Sequence, residues 1–332
     1  QILLFERCDR LAAEQVTSWL NEREQATRSA GGNASQRDAG IARVRSSVTE
    51  AEFTEAIDRI HAYIEAGDTY QINYTYRVRF DAFGTLYALY RRLRARQPVP
   101  YGALVAWPDG RALLSMSPEL FVRHAQGELV TRPMKGTAAA SGDAQQDAAR
   151  AAALAADPKN RAENLMIVDL LRNDLGRVAA EGSVAVPALF EVEQYPTVQQ
   201  LTSTVTARLA PGRDAIDVLA ALFPCGSVTG APKIRAIEVT HDIEAAPRGL
   251  YTGAIGFLDA GGDAGFSVAI RTLVLDRDGG RARLGLGSGV VADSTAAGEW
   301  RECLAKGAFA AACVRRFDLI ETMRFDPVDG IA

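Results

Sequence analysis

The residues of this sequence whose types and spacing could do chemistry fall in a few short stretches, and each has a plain structural reading. In Arg132-Pro133-Met134-Lys135-Gly136-Thr137, Pro133 fixes its own φ and Gly136 permits a sharp reversal, so Lys135 is expected at the tip of a bend. A lysine there is ordinarily solvated, and the stretch alone gives no reason to read it otherwise. In Ser115-Met116-Ser117-Pro118-Glu119, an acid follows the end of a strand, where a surface loop acid is the plain reading. The segment DPKNRAENLMIVDLLRND opens with Asp157 as a helix cap and Pro158 at the first helical position. Glu163 then shares a stripe with Met166, Ile167, Leu170 and Asp174. A carboxylate buried in such a stripe costs several kcal/mol without a partner, so it requires a basic side chain at the rim or a bound cation.

In EWRECLAK, Glu299, Glu302 and Lys306 lie on one helical face. They read as an i,i+4 Glu–Lys surface pair, or Glu302 pairs with Glu163 as hard oxygen ligands for Mg²⁺. That ion takes few carboxylates and leaves room for water and an anionic substrate. Gly226-Ser227-Val228-Thr229-Gly230-Ala231-Pro232-Lys233 runs straight into a helix. It reads as simple capping or as an anion site built from free N–H groups and the positive dipole end. Its spacing is not that of a Walker loop. His61, His124 and His241 have no companions for a Ser/His/Asp set and are read as structural.

These stretches need elements to hold them. Thr49-Glu50-Ala51-Glu52 is a capping-box pattern, followed by Phe53, Ile57, Ile60 and Ile64 at helical spacing until Gly67. Tyr70, Ile72, Tyr74, Tyr76, Val78 and Phe80 then alternate with Gln71, Asn73, Thr75, Arg77 and Arg79, which predicts a strand with one apolar and one polar face. Strands are predicted over 101–107 and 111–115, joined by the Pro108-Asp109-Gly110 turn, and over 251–259, 265–275 and 282–292. Helices are predicted over 143–156, 158–174, 214–223, 231–244 and 296–314. Strands joined by tight turns pair antiparallel, so the fold class is α+β, with large antiparallel sheets and helices packed outside. Residues 21–47 are polar and poor in large apolar side chains, and read as a linker. The expected organisation is a short N-terminal remnant and linker over 1–47, a catalytic domain over 48–316 and a tail over 317–332.

A chain of 332 residues that is 48% hydrophobic buries a large core, and a net charge of −4 with no basic run argues against nucleic acid. Cys8, Cys225, Cys303 and Cys313 are scattered without metal-ligand spacing, which fits a reducing, cytoplasmic setting. No apolar run approaches the about 20 residues of a membrane span, and no signal peptide opens the chain. A first residue of Gln1 leads us to expect a processed or excised chain.

In order, GDTYQIN, SMSPELF, RPMKGT, AENLMIVDLLRNDLGR, FPCGSVTGAPK, RGLYTGAIGF, AIRTL and GSGVVADS…EWRE resemble the motifs of the chorismate-utilising enzymes, whose anthranilate synthase component I-like fold is then implied. The resemblance runs from about residue 50 to 316 and is nearest the branch that aminates chorismate at C4, the aminodeoxychorismate synthases. It implies Mg²⁺ as cofactor, with Glu163 and Glu302 as ligands and Glu299 reaching the ion through water. Tyr251 and Arg271 match groups that hold the enolpyruvyl carboxylate, helped by backbone N–H groups around Gly287 and Gly289. Ser227 and Lys306 fall among the substrate contacts, and Glu119 matches the acid that protonates the leaving 4-hydroxyl. Gln71 stands where members that add water at C2 carry a lysine base, so that chemistry is not expected. Lys135 stands where anthranilate synthases typically carry alanine, and it matches a nucleophile that attacks C2. Gln200 stands where many relatives carry histidine, which puts any proton transfer by that histidine in doubt.

The implied partners are chorismate and a separate glutamine amidotransferase that supplies ammonia, with no nucleic acid and no membrane. Residues 317–330 resemble the opening strand of the aminodeoxychorismate lyase fold, as though a fused domain began there. The rival within the family is anthranilate synthesis. The rival outside it is a fragment that binds chorismate or its partner without turnover.

Overall fold

The structure is a computed structural model that describes residues 2–31, 39–195, 198–276, 280–311, 325–326 and 330–331. Two seven-stranded sheets organise it, and every pairing within them is antiparallel. The first sheet contains β1 (Gly40–Ser46), β2 (Gln71–Phe83), β3 (Tyr101–Ala106), β4 (Ala112–Ser117), β10 (Gly230–Ala231), β13 (Thr272–Leu275) and β14 (Arg281–Val290). Its order is β1-β2-β14-β13-β4-β3, with β10 also pairing β2. The second contains β5 (Leu120–Ala125), β6 (Glu128–Arg132), β7 (Met134–Ala139), β8 (Ala185–Gln194), β9 (Val198–Arg208), β11 (Ala254–Leu258) and β12 (Ala264–Val268). Its order is β11-β12-β5-β6-β9-β7, with β8 on β9.

Each sheet has its own core. On the first, α2 (Glu50–Glu65) buries Phe53, Ile57 and Ile60 against Ile72, Tyr74 and Tyr76 of β2. The Thr49–Glu52 capping box starts that helix as the sequence predicts. Trp300 of α8 (Ala296–Ala311) stacks on Tyr76 at 5.5 Å and closes the cluster. On the second, α5 (Pro158–Gly176) buries Ile167, Val168, Leu171 and Leu175 against Phe121, Leu129 and Val205, with Val218 and Leu222 from α6 (Ala215–Leu222). Each such side chain contributes about 1.5–3 kcal/mol on burial, so helices carrying site residues are anchored by their apolar faces. The remaining helices are α1 (Ala13–Gly31), α3 (Leu86–Arg96), α4 (Ala144–Ala156) and α7 (Lys233–Ile243). No helix among the described residues is long and apolar enough to cross a membrane.

The structure departs from the sequence reading in three places. Residues 21–47 are not an irregular linker throughout, because α1 extends to Gly31 and residues 40–46 form β1. Leu20 is buried, Trp19 meets Tyr87 of α3 edge-on at 5.9 Å, and Ile41 is buried where β1 pairs with β2. These contacts come from distant chain, which local composition does not report. The predicted strand over 265–275 is two strands in different sheets, β12 and β13. Lys135 sits inside β7, at a register shift between Met134 and Thr137, rather than at the tip of a bend. Residues 317–332, read as a tail or the start of a lyase-like segment, lie outside the described residues except for a two-residue pairing of 325–326 with 330–331.

Candidate active site

The chain crosses between the two sheets at Pro118-Glu119, where β4 gives way to β5, and again at Ala269-Ile270-Arg271, where β12 gives way to β13. The crossings lie side by side. Val268 N donates to Glu119 O at 3.1 Å, Ser117 Oγ donates to Val268 O at 2.7 Å, and Met116 N donates to Arg271 O at 3.0 Å. Arg271 adopts φ 49°, a left-handed conformation uncommon for a non-glycine residue. A strand cannot continue through it, which is why one apolar run serves two sheets.

Glu119 is buried, and burial pushes its carboxyl up to about 7; Ser227 as hydrogen-bond donor, then Lys135, Arg271 and Lys306, pull the other way. A carboxyl so placed can hold a proton near neutral pH. Burial likewise holds the Lys135 amine below its usual value, aided by Lys306 and opposed by Glu163, Glu119 and Glu302. Arg271 is also drawn down by burial, with Glu119 and Tyr251 opposing. Tyr251 is pushed upward, first by burial, and its ring packs over Gly285, where a Cβ would come within 2.0 Å of it.

Lys135 makes no hydrogen bond or ion pair with any described residue. It reaches across the seam to the first sheet: a Cβ built on Gly289 of β14 would lie 3.2 Å from Lys135 Nζ, 2.2 Å from Gln71 Nε2 and 3.2 Å from Asn73 Oδ1. Gly289 therefore keeps open a pocket in which the lysine and two amides converge. Both amide atoms of Gln71 and the Nδ2 of Asn73 are buried without a partner among the described residues; Gln200 Oε1, on β9 opposite Thr137 of β7, is likewise unpaired. Buried polar atoms are nearly always paired, so such a collection marks a place where a polar ligand completes the bonding. Gly287, beside it on β14, pairs with Thr75 of β2 and accepts a hydrogen bond from Lys306 Nζ on its carbonyl at 3.0 Å.

The acids divide. Glu163 has no hydrogen bond or ion pair among the described residues; burial raises its pKa, Glu302 and Glu299 push the same way, and Lys135 and Lys159 oppose them. At Glu302 burial also pushes upward, but Lys306 at 2.7 Å, with Lys135 and Lys159, outweighs it and leaves the carboxyl below its usual range. Glu299 is buried and accepts from Ser294 Oγ at 2.7 Å. Among the described residues no three His, Cys, Asp or Glu side chains converge as a metal cage. The donors are nevertheless carboxylate oxygens, and Glu302 and Glu299 raise the proton affinity of Glu163. Two of them with water and a substrate oxygen fit a hard divalent cation.

The helix start at 232–233 does not serve as an anion site by its lysine. Lys233 Nζ turns inward to Asp174 at 2.6 Å and to the carbonyls of Leu222 and Pro224 at 3.1 and 3.3 Å. His124 Nδ1 faces Gly262 O at 2.9 Å, outside the site. Sequence reasoning missed Asn73 as a site residue. Asn73 was within reach of it, because it shares the polar face of β2 with Gln71, and residues 71–76 are buried on both faces. It also missed the Arg248–Glu244 ion pair, which donates to Val228 O and Asn73 O and accepts from Thr75 N, tying the Ser227 turn to β2. No local pattern reports that bridge.

Residues 2–312 match the chorismate binding enzyme family, and the chain belongs to it. Aminodeoxychorismate synthase component 1 of Klebsiella aerogenes is 44% identical over 262 residues, 79% of this chain and 57% of that one. Anthranilate synthase component 1 of Streptomyces coelicolor is 43% identical over 284 residues, 85% of this chain and 55% of that one. The chain thus spans little more than half the length of these curated relatives. Among solved structures, anthranilate synthase component I from Streptococcus pneumoniae is similar with a TM-score of 0.75 at 32% identity, covering 90% of this chain and 67% of that one. The α+β class expected from the sequence is the fold observed.

Proposed function

We propose that this chain aminates chorismate at C4 to 4-amino-4-deoxychorismate, the step that leads toward p-aminobenzoate and folate. The observation that carries the reading is Lys135, an amine that burial holds below its usual value and that has no hydrogen bond or ion pair among the described residues, set among the raised Glu119 carboxyl and the Glu163 and Glu302 acids. The relatives named aminodeoxychorismate synthase component 1 support it.

In this reading Glu119 gives its proton to the departing 4-hydroxyl while the neutral Lys135 amine bonds to C2, the ring double bonds shifting between them. Ammonia then attacks C4, the double bonds shift back, and the lysine leaves. An amine must be unprotonated to attack, and burial supplies that condition in part. Arg271 and Tyr251 hold the enolpyruvyl carboxylate, Gln71 and Ser227 orient the ring, and Gln200 offers a neutral acceptor. Glu163 and Glu302, with Glu299 behind them, would hold Mg²⁺, which neutralises the ring carboxylate of the substrate. The name "component 1" carried by the relatives supports a separate glutamine amidotransferase as the ammonia source.

Anthranilate formation is the second reading, favoured by the 43% identity to a relative of that name. The deciding experiment is mass spectrometry of products from chorismate, Mg²⁺ and ammonium at mildly alkaline pH, beside Lys135→Ala. Aminodeoxychorismate that keeps its enolpyruvyl group and collapses in the variant is the expected result. Anthranilate with pyruvate, or a product unaffected by the variant, overturns it.

A further inference from the structure

Strand β2 pairs with β14 along one edge from Ile72 to Asp81, but its other edge is shared by two short partners with a gap between them. On one side of the gap β10 pairs with Gln71 and Ile72, and Thr229 O takes the Asn73 N–H at 2.9 Å. On the other side β1 pairs from Val78 onward. Ser47 adds both backbone bonds at Arg77, its N–H donating to Arg77 O at 2.7 Å and its Oγ accepting from Arg77 N at 3.0 Å. The Asn73 carbonyl and the Thr75 amide lie between them, on buried residues with no strand to meet. Buried backbone groups require partners all the same.

An ion pair takes the place of the missing strand. Glu244, the residue after α7, accepts from Thr75 N and Thr75 Oγ1 on its Oε1 at 2.9 Å each. Arg248 Nη2 donates to Asn73 O at 2.6 Å and to Glu244 Oε1 at 2.7 Å, and Nε donates to the same carboxylate. Its Nη1 donates to Val228 O at 2.8 Å and lies 3.5 Å from Thr252 Oγ1. Only 15% of the arginine side chain and 7% of the glutamate side chain are exposed. All five guanidinium hydrogens thus have acceptors, and none is left for a substrate. The planar fork also fixes where those acceptors sit relative to one another. They belong to the walls of the site: Asn73 carries one of the amides in the pocket that Gly289 keeps open, Val228 follows Ser227, and Thr252 follows Tyr251.

We propose that Arg248, with Glu244 as its counter-ion, is a positioning residue that sets the distance between the Gln71–Asn73 amides and the Ser227 hydroxyl, and with it the affinity for chorismate. A lysine in its place keeps the charge beside Glu244, but its three hydrogens lie in no fixed plane and cannot hold both carbonyls in register. Lys135 on β7 and Glu119 at the β4–β5 crossing hang on other segments. Loss of the fork therefore falls on substrate binding more than on the chemical step.

The inference rests on chorismate as the substrate, so binding of chorismate is measured by calorimetry with Mg²⁺ and no ammonium, apart from any question of product. Arg248→Lys is expected to melt close to wild type and to bind chorismate about tenfold more weakly, the size of one hydrogen bond to a charged group. In turnover KM rises by about the same tenfold, and kcat changes less than about threefold.

Two double-variant cycles separate positioning from general loosening. Ser227→Ala weakens binding in the wild type and adds little in Arg248→Lys, because the hydroxyl is already out of register. Arg271→Lys adds in full, since residue 271 is anchored through its carbonyl by Met116 N and not by this bridge. Should Arg248→Lys not fold, Glu244→Gln, which keeps an oxygen for Thr75 and loosens the guanidinium, carries the same two cycles. Unchanged affinity in the folded variant, or losses that add in both cycles, overturns the proposal. Wild-type protein that leaves chorismate unbound overturns it together with the reading above. A product other than aminodeoxychorismate, from protein whose binding follows both cycles, removes the amination reading and leaves the role of Arg248 standing.

Discussion

Helix α5 carries two carboxylates on one stripe, and the lysines they face meet opposite conditions. At its C-terminal end Asp174, 2% exposed, takes Lys233 at 2.6 Å, and the same ammonium donates to the Leu222 and Pro224 carbonyls. All three of its hydrogens have acceptors. Farther up the helix Glu163 faces Lys135, and neither makes a hydrogen bond or ion pair with another described residue. The same residue types on the same stripe thus form a closed structural clamp at one end and leave their bonding capacity open at the other. Desolvated groups left without partners are costly. Their presence is explained where a bound molecule completes them, and the closed end supplies the rigidity that holds the open end in place.

The largest effect that would break this contrast is on catalysis. Lys135→Ala is expected to cut amination about 10³-fold, roughly 4 kcal/mol of transition-state stabilisation. Thermal melting of the same variant should stay close to wild type, since no ion pair is lost. Lys233→Met reverses the pattern. It leaves Asp174 buried and uncompensated, so urea titration should show a loss of about 3–5 kcal/mol, with turnover per folded molecule preserved. A Lys233 variant that melts normally but loses turnover would show that the closed end is part of the chemistry.

Glu119 sharpens the comparison through pH. Its folded carboxyl is raised from 4.5 to about 7, so the folded state binds the proton more tightly than the unfolded chain. Stability is therefore lost as pH rises from about 4.5 to about 7, and is flat above. Glu119→Gln should be more stable than wild type at pH 8 by up to about 3 kcal/mol, and no more stable at pH 4. In turnover Lys135 must have lost its proton and Glu119 must hold its own, so the limb that titrates at about 7 should vanish in Glu119→Gln along with about 10²-fold of the rate. The smallest effect is at Gly289, where an alanine Cβ displaces the flexible tip of Gln71. Gly289→Ala should raise KM about tenfold with little change in melting, because only ligand-facing groups move.

Much of this was legible along the chain. The Thr49–Glu52 capping box, the Asp157–Pro158 helix start and the β2 alternation act within a few residues, and each appears where the sequence predicts. The second sheet was harder to read. Register shifts interrupt β5 near Leu120–Arg123 and β8 at Ala185–Ala188 and Ala188–Glu191, so the period-two signal breaks before it accumulates. Residues 86–96 escaped too, because α3 is rich in arginine and its buried Leu89 and Leu93 find their partners far away in the chain.

Residue type and order determined by themselves which side chains could act, because an amine, a carboxyl and an amide carry their chemistry in their atoms. They also determined where helices begin and which strand faces are apolar, since caps and periodicities are short-range. Only the tertiary structure decided that Lys135 stays without a hydrogen bond or ion pair among the described residues while Lys233 is paired with Asp174. Pairing depends on which distant segment arrives within about 3 Å, and burial, which sets the proton affinity of Glu119 and Lys135, is a property of everything packed around a group and not of the group.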